Sequence, residues 1–318
     1  MIKKSIYFLV GVLGFLMIMF LLQPIKTGIG LDFNTKYEFV KNWPQLPNHI
    51  KLGNPTGISL DTSQNIVVFH RADRKWPVSN VMPDEPIRSK TILIFDKDNG
   101  KLINSWGDNL FIMPHGLKVD VENNIWVTDV GLHQVFKFNY QGKLLLKLGE
   151  AKVAGNDSLH FDKPTDIAIA RDGSFYVSDG YGNSRIIKFS AKGQYLFEWG
   201  KKGHNKGEFD TPHGICVDNQ DNVYVADREN NRVQIFDSNG KFLRQFTDKS
   251  FGVICAVFFD KNKSKLFAVD DLIFWRIKHQ GSDVLIFDMN GKVQTRFGRS
   301  GSYQGHTSWY HALTVDKD

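Results

Sequence analysis

Beyond residue 50, the chain consists of short apolar runs separated by turn-forming pairs. The runs IWVTD, FYVSD and VYVAD are rich in Val and aromatic residues and only four to six residues long, which is typical of buried or half-buried β-strands. The pairs suit two-residue hairpins, because Gly and Asn tolerate positive φ. They include Asn99-Gly100, Asp172-Gly173 and Asn239-Gly240. Helical periodicity is absent after residue 30, so the pattern predicts an all-β chain.

The pattern repeats about every 49 residues. The clearest copies begin at His115, Thr165 and His213, a more divergent one begins at Thr56, and another passes through Cys255. Each copy holds four short apolar runs, and four antiparallel strands repeated around an axis form the blade of a β-propeller. Five copies, with the start of a sixth at His311, predict a six-bladed β-propeller whose last blade is incomplete.

The segment Tyr37–Trp43, YEFVKNW, resembles the outer strand of a blade. We expect it to complete the sixth blade and close the ring, which would remove an open sheet edge. The alternative is a five-bladed propeller with a tail, in which His311 would have no place in the ring.

An apolar run without charges, Ile6–Leu22, follows Lys3 and Lys4 at the N-terminus. Its length is at the short end for a membrane-spanning helix, and no A-x-A cleavage site follows it. An uncleaved anchor and a signal peptide both place the rest of the chain outside the cytoplasm. We predict a signal anchor or signal peptide over 1–26, with the anchor favoured, and a propeller domain over 27–318, membrane-anchored or secreted.

The net charge of +6 includes Lys3, Lys4 and Lys26, which flank the apolar run. No basic stripe with interleaved aromatic residues exists, which argues against a nucleic-acid partner. The two cysteines, Cys216 and Cys255, form no C-x-x-C pair, so no thiolate zinc site is expected. We expect two free buried thiols, with one disulfide as the alternative.

Three histidines occupy the same position of the repeated unit. The motifs are MPHGLKVD, TPHGICVD and WYHALTVD, and they place His115, His213 and His311 at intervals of 98 residues. In a six-bladed ring these residues would stand 120° apart on innermost strands and face the channel. Three imidazoles with one open position are typical of a catalytic zinc site. The alternative is that Pro-His-Gly is only a structural turn.

A second register lies fourteen residues further along, at Asp129, Asp179 and Asp227, with His70 in the first copy. We expect the aspartates to hold blade turns through backbone N–H groups. The residues that follow them vary and include Arg71, Tyr181 and Arg228. Two arginines and a tyrosine facing one channel would suit a substrate that carries a carboxylate.

These motifs carry a family resemblance over roughly residues 43–318. The chain resembles an NHL-repeat propeller and, more narrowly, is similar to peptidyl-α-hydroxyglycine α-amidating lyases. The motifs that carry the resemblance are IVVFHRADRKW, LFIMPHGLKVDVENNIWVTDVGLHQVFKF, HFDKPTDIAIA, FYVSDGYGNSRI, TPHGICV and VYVADRENNRVQIF. The three-histidine register supports the narrower match, because NHL propellers do not generally share it.

The resemblance implies a zinc-dependent lyase that cleaves the N–C bond of a peptidyl-α-hydroxyglycine into a peptide amide and glyoxylate. It implies zinc ligands at His115, His213 and His311, a catalytic tyrosine at Tyr181 and active-site arginines at Arg71 and Arg228. The substrate would then be a small peptide or amide with a carboxylate.

The family's structural calcium would fall on the backbone carbonyls of Pro55 and Leu117. Ala312, however, stands where the family has an aspartate that binds this ion. The sequence therefore argues against calcium.

Two other functions remain open. A non-catalytic, extracytoplasmic NHL propeller would bind a protein or glycan and would need no metal at the histidines. A propeller hydrolase such as a lactonase normally has acidic metal ligands in the channel, so the histidine triad argues against it. The sequence does not predict the oligomeric state.

Overall fold

The computed structural model describes residues 40, 42–79, 81–274, 278–300, 302–303, 306–307 and 310–317, all within one unit, Thr35–Asp318. The predicted N-terminal segment, 1–26, lies outside them. None of the described elements is a helix with the length and apolar character that a membrane crossing requires.

The described residues form five four-stranded antiparallel sheets, each made of consecutive strands. Blade one contains β1 (Pro55–Leu60), β2 (Ile66–His70), β3 (Ile92–Phe95) and β4 (Leu102–Trp106). Blade two contains β5 (Pro114–Val119), β6 (Ile125–Asp129), β7 (Gln134–Phe138) and β8 (Leu144–Leu148). Blade three contains β9 (Pro164–Ile169), β10 (Phe175–Asp179), β11 (Arg185–Phe189) and β12 (Tyr195–Trp199).

The last two sheets continue the same arrangement. Blade four contains β13 (Pro212–Val217), β14 (Val223–Asp227), β15 (Arg232–Phe236) and β16 (Phe242–Thr247), with a 3-10 turn at Arg228–Asn230. Blade five contains β17 (Val253–Asp260), β18 (Lys265–Phe274), β19 (Lys278–Phe287) and β20 (Val293–Ser300). A short hairpin, β21 (Ser302–Tyr303) and β22 (His306–Thr307), follows.

The first strands of successive blades lie side by side, β1 with β5, β5 with β9, β9 with β13 and β13 with β17. Apolar clusters fill the spaces between neighbouring blades. Phe69 of blade one packs with Phe136 of blade two, and Trp126 of blade two packs with Phe175 of blade three. Because neighbouring blades cover both faces of blades two, three and four, the second strands of these blades are entirely buried. The all-β propeller predicted from the repeat is therefore confirmed.

The prediction of six blades is wrong for the described residues, which contain five four-stranded blades. Residues 310–317 lie between blade five and blade one but form no strand. Tyr310 donates its backbone N–H to the Ser282 side chain, and Lys317 donates its own to the Gln64 side chain. These amides are therefore bound by side chains, not by the backbone ladder that a sixth blade requires.

The segment predicted to close the ring, Tyr37–Trp43, lies mostly outside the described residues, which include only Val40, Asn42 and Trp43 of it. Trp43 packs on Phe95 of blade one, with ring centroids 5.8 Å apart. The backbone N–H of Gln45 donates to the carbonyl of Gly100 at 2.8 Å. Residues 43–45 therefore cover the outside of blade one. The two cysteines are free and buried, as expected.

Candidate functional site

The structure brings together the three histidines of the repeated motif. The side-chain nitrogens of His115, His213 and His311 lie within 4.8 Å of one another. Their ring centroids are 4.6 to 4.9 Å apart. His115 is near the start of β5 and His213 near the start of β13, so equal positions in equal strands face the same axis. His311 reaches that axis from the non-strand segment 310–317.

Each of these imidazoles donates a hydrogen bond from Nδ1 to a backbone carbonyl at the next inner position around the propeller axis. The acceptors are Thr165 at 2.6 Å for His115, Cys255 at 2.6 Å for His213 and Thr56 at 2.8 Å for His311. A carbonyl only accepts, so Nδ1 carries the proton and the Nε2 lone pair is left for a ligand. Such a bond commonly orients a metal-binding histidine.

The three acceptors are the residues that occupy the histidine position in the alternate copies of the repeat. The six inner positions thus alternate between an imidazole and a carbonyl that orients it. The sequence register shows that Thr56, Thr165 and Cys255 are equivalent to the histidines. It does not show that these residues act through their backbone carbonyls, which orient the imidazoles. Residues 310–317 complete this inner circle without forming a blade.

Burial holds the histidines in the neutral form. Burial is the largest cause that lowers the pKa of His115 and of His213 well below the usual value, and neighbouring charged groups lower it further. The same effect, with Arg71 nearby, lowers the pKa of His311 to about 3. Neutral imidazoles with a free Nε2 are the form that binds zinc. The donor set, its spacing and its protonation therefore fit a zinc ion.

Tyr181 lies directly over the histidines. Its hydroxyl is 3.1 Å from Nε2 of His115 and 3.0 Å from Nε2 of His213. Arg228 donates from Nη1 to the same hydroxyl at 3.4 Å. Burial raises the pKa of Tyr181, whereas the guanidinium groups of Arg228 and Arg71 act in the opposite direction. Desolvation outweighs both cations, so the protein groups by themselves raise this pKa.

The two predicted arginines flank this tyrosine. Arg71 is 7% exposed, and its Nε donates to the carbonyl of Pro114 at 3.0 Å. The Arg228 guanidinium lies 6.0 Å from the centre of the Tyr181 ring. Burial lowers the pKa of Arg228, but the influence of Tyr181 and other acidic groups outweighs it and raises the value overall. Both cations are therefore held in a mostly desolvated channel, where they are suited to bind an anion.

The aspartates of the second register hold the turns that present these side chains. The Asp129 carboxylate accepts the backbone N–H groups of Ile112, Met113, Gly131 and Leu132 at 2.8 to 3.0 Å. Asp179 accepts the N–H of Asp162, and Asp227 accepts that of Asp210. In blade one His70 holds the turn instead: its Nδ1 accepts hydrogen bonds from the backbone N–H groups of Gly53 and Ala72 at 3.2 and 3.0 Å. His70 is thus a turn residue that stands in for an aspartate.

The residues expected around a calcium ion do not fit one. Leu117 is buried and Pro55 is exposed. The small cavity on the far side of the histidines, about 20 Å³, is lined by Leu117, Asp166, Lys118 and Ala312 among others. Asp166 already pairs with Lys118, Nζ to Oδ2 3.3 Å. A lysine beside the carboxylate disfavours a second cation, so we assign no calcium here.

Sequence reasoning missed Trp76, which contacts two of the predicted residues. Its ring centroid is 5.1 Å from that of Tyr181, and the Arg71 guanidinium lies 5.1 Å from its ring centre. The sequence signals are the motif IVVFHRADRKW, which ends at Trp76, and the long connection between β2 and β3, residues 71–91. The corresponding connection in blade two is 130–133.

Comparison with known proteins confirms the resemblance to NHL-repeat propellers and amidating lyases. NHL repeats match residues 111–138, 161–189 and 209–236. The chain is 40% identical over 248 residues to rat peptidylglycine alpha-amidating monooxygenase, covering 72% of this chain and 25% of the relative. It is 40% identical over 249 residues to Drosophila melanogaster peptidyl-alpha-hydroxyglycine alpha-amidating lyase 1, covering 72% and 45%.

A third relative is a probable peptidyl-alpha-hydroxyglycine alpha-amidating lyase of Caenorhabditis elegans, 40% identical over 226 residues, or 67% of this chain and 64% of that protein. The chain thus spans between a quarter and two thirds of these curated relatives. Among solved structures, a streptogramin B lyase matches with a TM-score of 0.55 at 17% identity, covering 85% of this chain and 76% of the other. At that identity the likeness supports the fold alone.

Proposed function

We propose that this chain is a zinc-dependent lyase that cleaves the N–C bond of a peptidyl-α-hydroxyglycine to release a peptide amide and glyoxylate. The observation that carries the proposal is the three-histidine site, in which Nε2 of His115 and of His213 contact the Tyr181 hydroxyl, with Arg71 and Arg228 near the same hydroxyl. The similarity to proteins named as amidating lyases supports the same activity.

His115, His213 and His311 would hold the zinc through their Nε2 atoms. Bound there, zinc would act as a Lewis acid and lower the pKa of a substrate hydroxyl. Three histidines are the number of protein donors that a catalytic zinc site uses.

Tyr181 would act as the general base and then as the acid. Its phenolate takes the proton of the substrate hydroxyl, and the O–H electron pair forms the new C=O bond while the C–N bond breaks. The proton then passes from Tyr181 to the departing amide nitrogen, so the residue returns to its starting form. Arg71 and Arg228 favour the phenolate, because both lower the pKa that burial raises.

The arginines also bind charge on the substrate. Arg228 would pair with the carboxylate, and Arg71 would stabilise the negative charge that develops on the reacting oxygen. Glyoxylate keeps the carboxylate after the bond breaks, so Arg228 would hold one of the two products. A small peptide or amide ending in α-hydroxyglycine satisfies all of these contacts.

We further propose that the lyase acts outside the cytoplasm, held to the membrane by residues 1–26 or secreted after their removal. This rests on the apolar run that follows Lys3 and Lys4, because lysines beside such a run stay on the cytoplasmic side. Protease accessibility of the propeller in intact cells tests it: protection of the chain until the membrane is broken would contradict it.

Elemental analysis of the purified protein beside His213→Ala tests the main proposal. We expect about one zinc per chain in the wild type and far less in the variant, because removal of one of three ligands leaves an incomplete site. Glyoxylate release from an N-acyl-α-hydroxyglycine should fall with the zinc content. His204→Ala is the control, since His204 is exposed and outside the register. A well-folded wild type without metal or lyase activity would leave a binding propeller as the better explanation.

A further inference from the structure

The connection between β2 and β3 is much longer than its counterparts and lies against the site. It spans 71–91, whereas the equivalent connections span 130–133, 180–184 and 228–231. These counterparts carry Tyr181 and Arg228, so the long connection follows the strand end that faces the reaction centre. Its first residue is Arg71, and Trp76 follows five residues later.

Hydrogen bonds fix this connection to its neighbours. Arg74 donates from Nη1 to the carbonyls of Glu85 at 2.6 Å and Ile112 at 3.1 Å. The backbone N–H of Ile87 donates to the carbonyl of Phe111 at 2.7 Å. These bonds join the start of the connection to its end and to the loop that precedes β5, the strand of His115. The position of Trp76 is therefore determined by the fold.

Trp76 belongs to an apolar surface beside the reacting groups. With Met82, Leu132 and Tyr181, it packs on a buried cluster formed by Ile112, Met113 and Val130. Trp76 and Met82 are only half-buried. Val78 and Val81 in the same connection are 105% and 71% exposed. An apolar surface that is continuous with a catalytic centre is typical of a substrate subsite.

The neighbours of Tyr181 indicate the orientation of a bound substrate. The Tyr181 ring lies 6.0 Å from the Arg228 guanidinium and 5.1 Å, between ring centres, from Trp76. With the substrate hydroxyl at Tyr181, the cation suits the carboxylate and the apolar ring suits the acyl part. That part is the residue that precedes the α-hydroxyglycine.

We propose that Trp76 and Met82 form an apolar subsite for the side chain of the residue preceding the α-hydroxyglycine. This inference rests on the proposed lyase function. It predicts that the protein prefers peptides with a bulky apolar residue at that position, Phe or Leu, over those with Ala. An aromatic side chain there would also stack on the Trp76 ring.

The test compares acetyl-Phe-α-hydroxyglycine with acetyl-Ala-α-hydroxyglycine. We expect the wild type to favour the Phe substrate by about tenfold in kcat/KM, which equals roughly 1.4 kcal/mol. Trp76→Ala should reduce that preference to about threefold or less, whereas Trp76→Phe should keep most of it. The ratio is the readout because any disturbance of Tyr181 would slow both substrates together. Val121→Ser is the matched control, since Val121 is 91% exposed and lies in the turn before β6, at the opposite end of that strand from the site.

Calorimetric binding of acetyl-Phe-Gly and acetyl-Ala-Gly separates this inference from the lyase proposal. These peptides lack the hydroxyl and cannot react, so the difference between their affinities reports the contact of the preceding side chain without any reaction. Tighter binding of the Phe peptide that Trp76→Ala abolishes would support the subsite even if no glyoxylate were released. An equal preference in the wild type and Trp76→Ala, in turnover or in binding, would overturn it.

Discussion

Replacement of Tyr181 by Phe removes one hydroxyl and keeps the ring. The ring contact with Trp76, 5.1 Å between centroids, should therefore persist, as should the packing beneath it. The lost hydroxyl has three polar neighbours, Nε2 of His115 at 3.1 Å, Nε2 of His213 at 3.0 Å and Nη1 of Arg228 at 3.4 Å. The substitution therefore acts on the chemistry far more than on the fold.

The expected size of the effect follows from the role of the group. A general base in the transition state contributes about 10² to 10⁴ in rate, which corresponds to roughly 3 to 5 kcal/mol of barrier. A single hydrogen bond contributes only about 1 kcal/mol to stability, so the free energy of unfolding should change little. Because Arg228 keeps its contact with the carboxylate, KM should stay near the wild-type value while kcat falls.

Steady-state glyoxylate release, measured at equal zinc content, is the assay. Urea unfolding gives the stability of each variant. Tyr140→Phe is the control: its hydroxyl donates to Asp61 at 2.7 Å, just beyond the end of β1 that is opposite to Thr56, and its loss should leave kcat unchanged. A Tyr181→Phe protein with full zinc and a kcat within tenfold of the wild type would refute the assignment of Tyr181 as the base.

Three further predictions follow from the same contacts. Arg228→Gln should raise KM about 10- to 100-fold, since a bond to a charged group contributes about 1.5–3 kcal/mol, and a carboxamide substrate should show no such loss. After a chelator has removed the metal, the lowered pKa values of His115, His213 and His311 keep the folded triad neutral. At pH values below about 6.5, the same histidines in the unfolded chain bind protons. Stability should therefore fall as pH drops below about 6.5, by up to about 1.4 kcal/mol per pH unit per histidine; urea midpoints at pH 7 and 5 measure it, and an unchanged midpoint would contradict it. Asp129→Ala leaves four backbone N–H groups without their acceptor and should cost at least about 4 kcal/mol in urea unfolding, whereas exposed Glu122→Ala should cost almost nothing.

The sequence predicted the class of fold and the position of the histidines for one physical reason. Alternating apolar runs and turn pairs are local signals, and each repeat translates them into the same four-stranded unit. Equal positions in equal units must then face the same axis. His115 and His213 could therefore be placed in one channel from their spacing alone, and the turn-holding function of Asp129 followed from the same register.

Tertiary structure decided everything that depends on partners distant in the chain. Whether His311 stands in a full blade is not a local property, because a strand needs a partner, and residues 310–317 find side chains instead. The carbonyl of Thr56 that orients His311 lies 255 positions away in sequence. Every residue has such a carbonyl, so the residue type does not show which one accepts this bond. Trp76 approaches Tyr181 only because a long connection folds back over the site. Burial likewise set the direction of the Tyr181 pKa, since the sequence shows the neighbouring charges but not the desolvation that outweighs them.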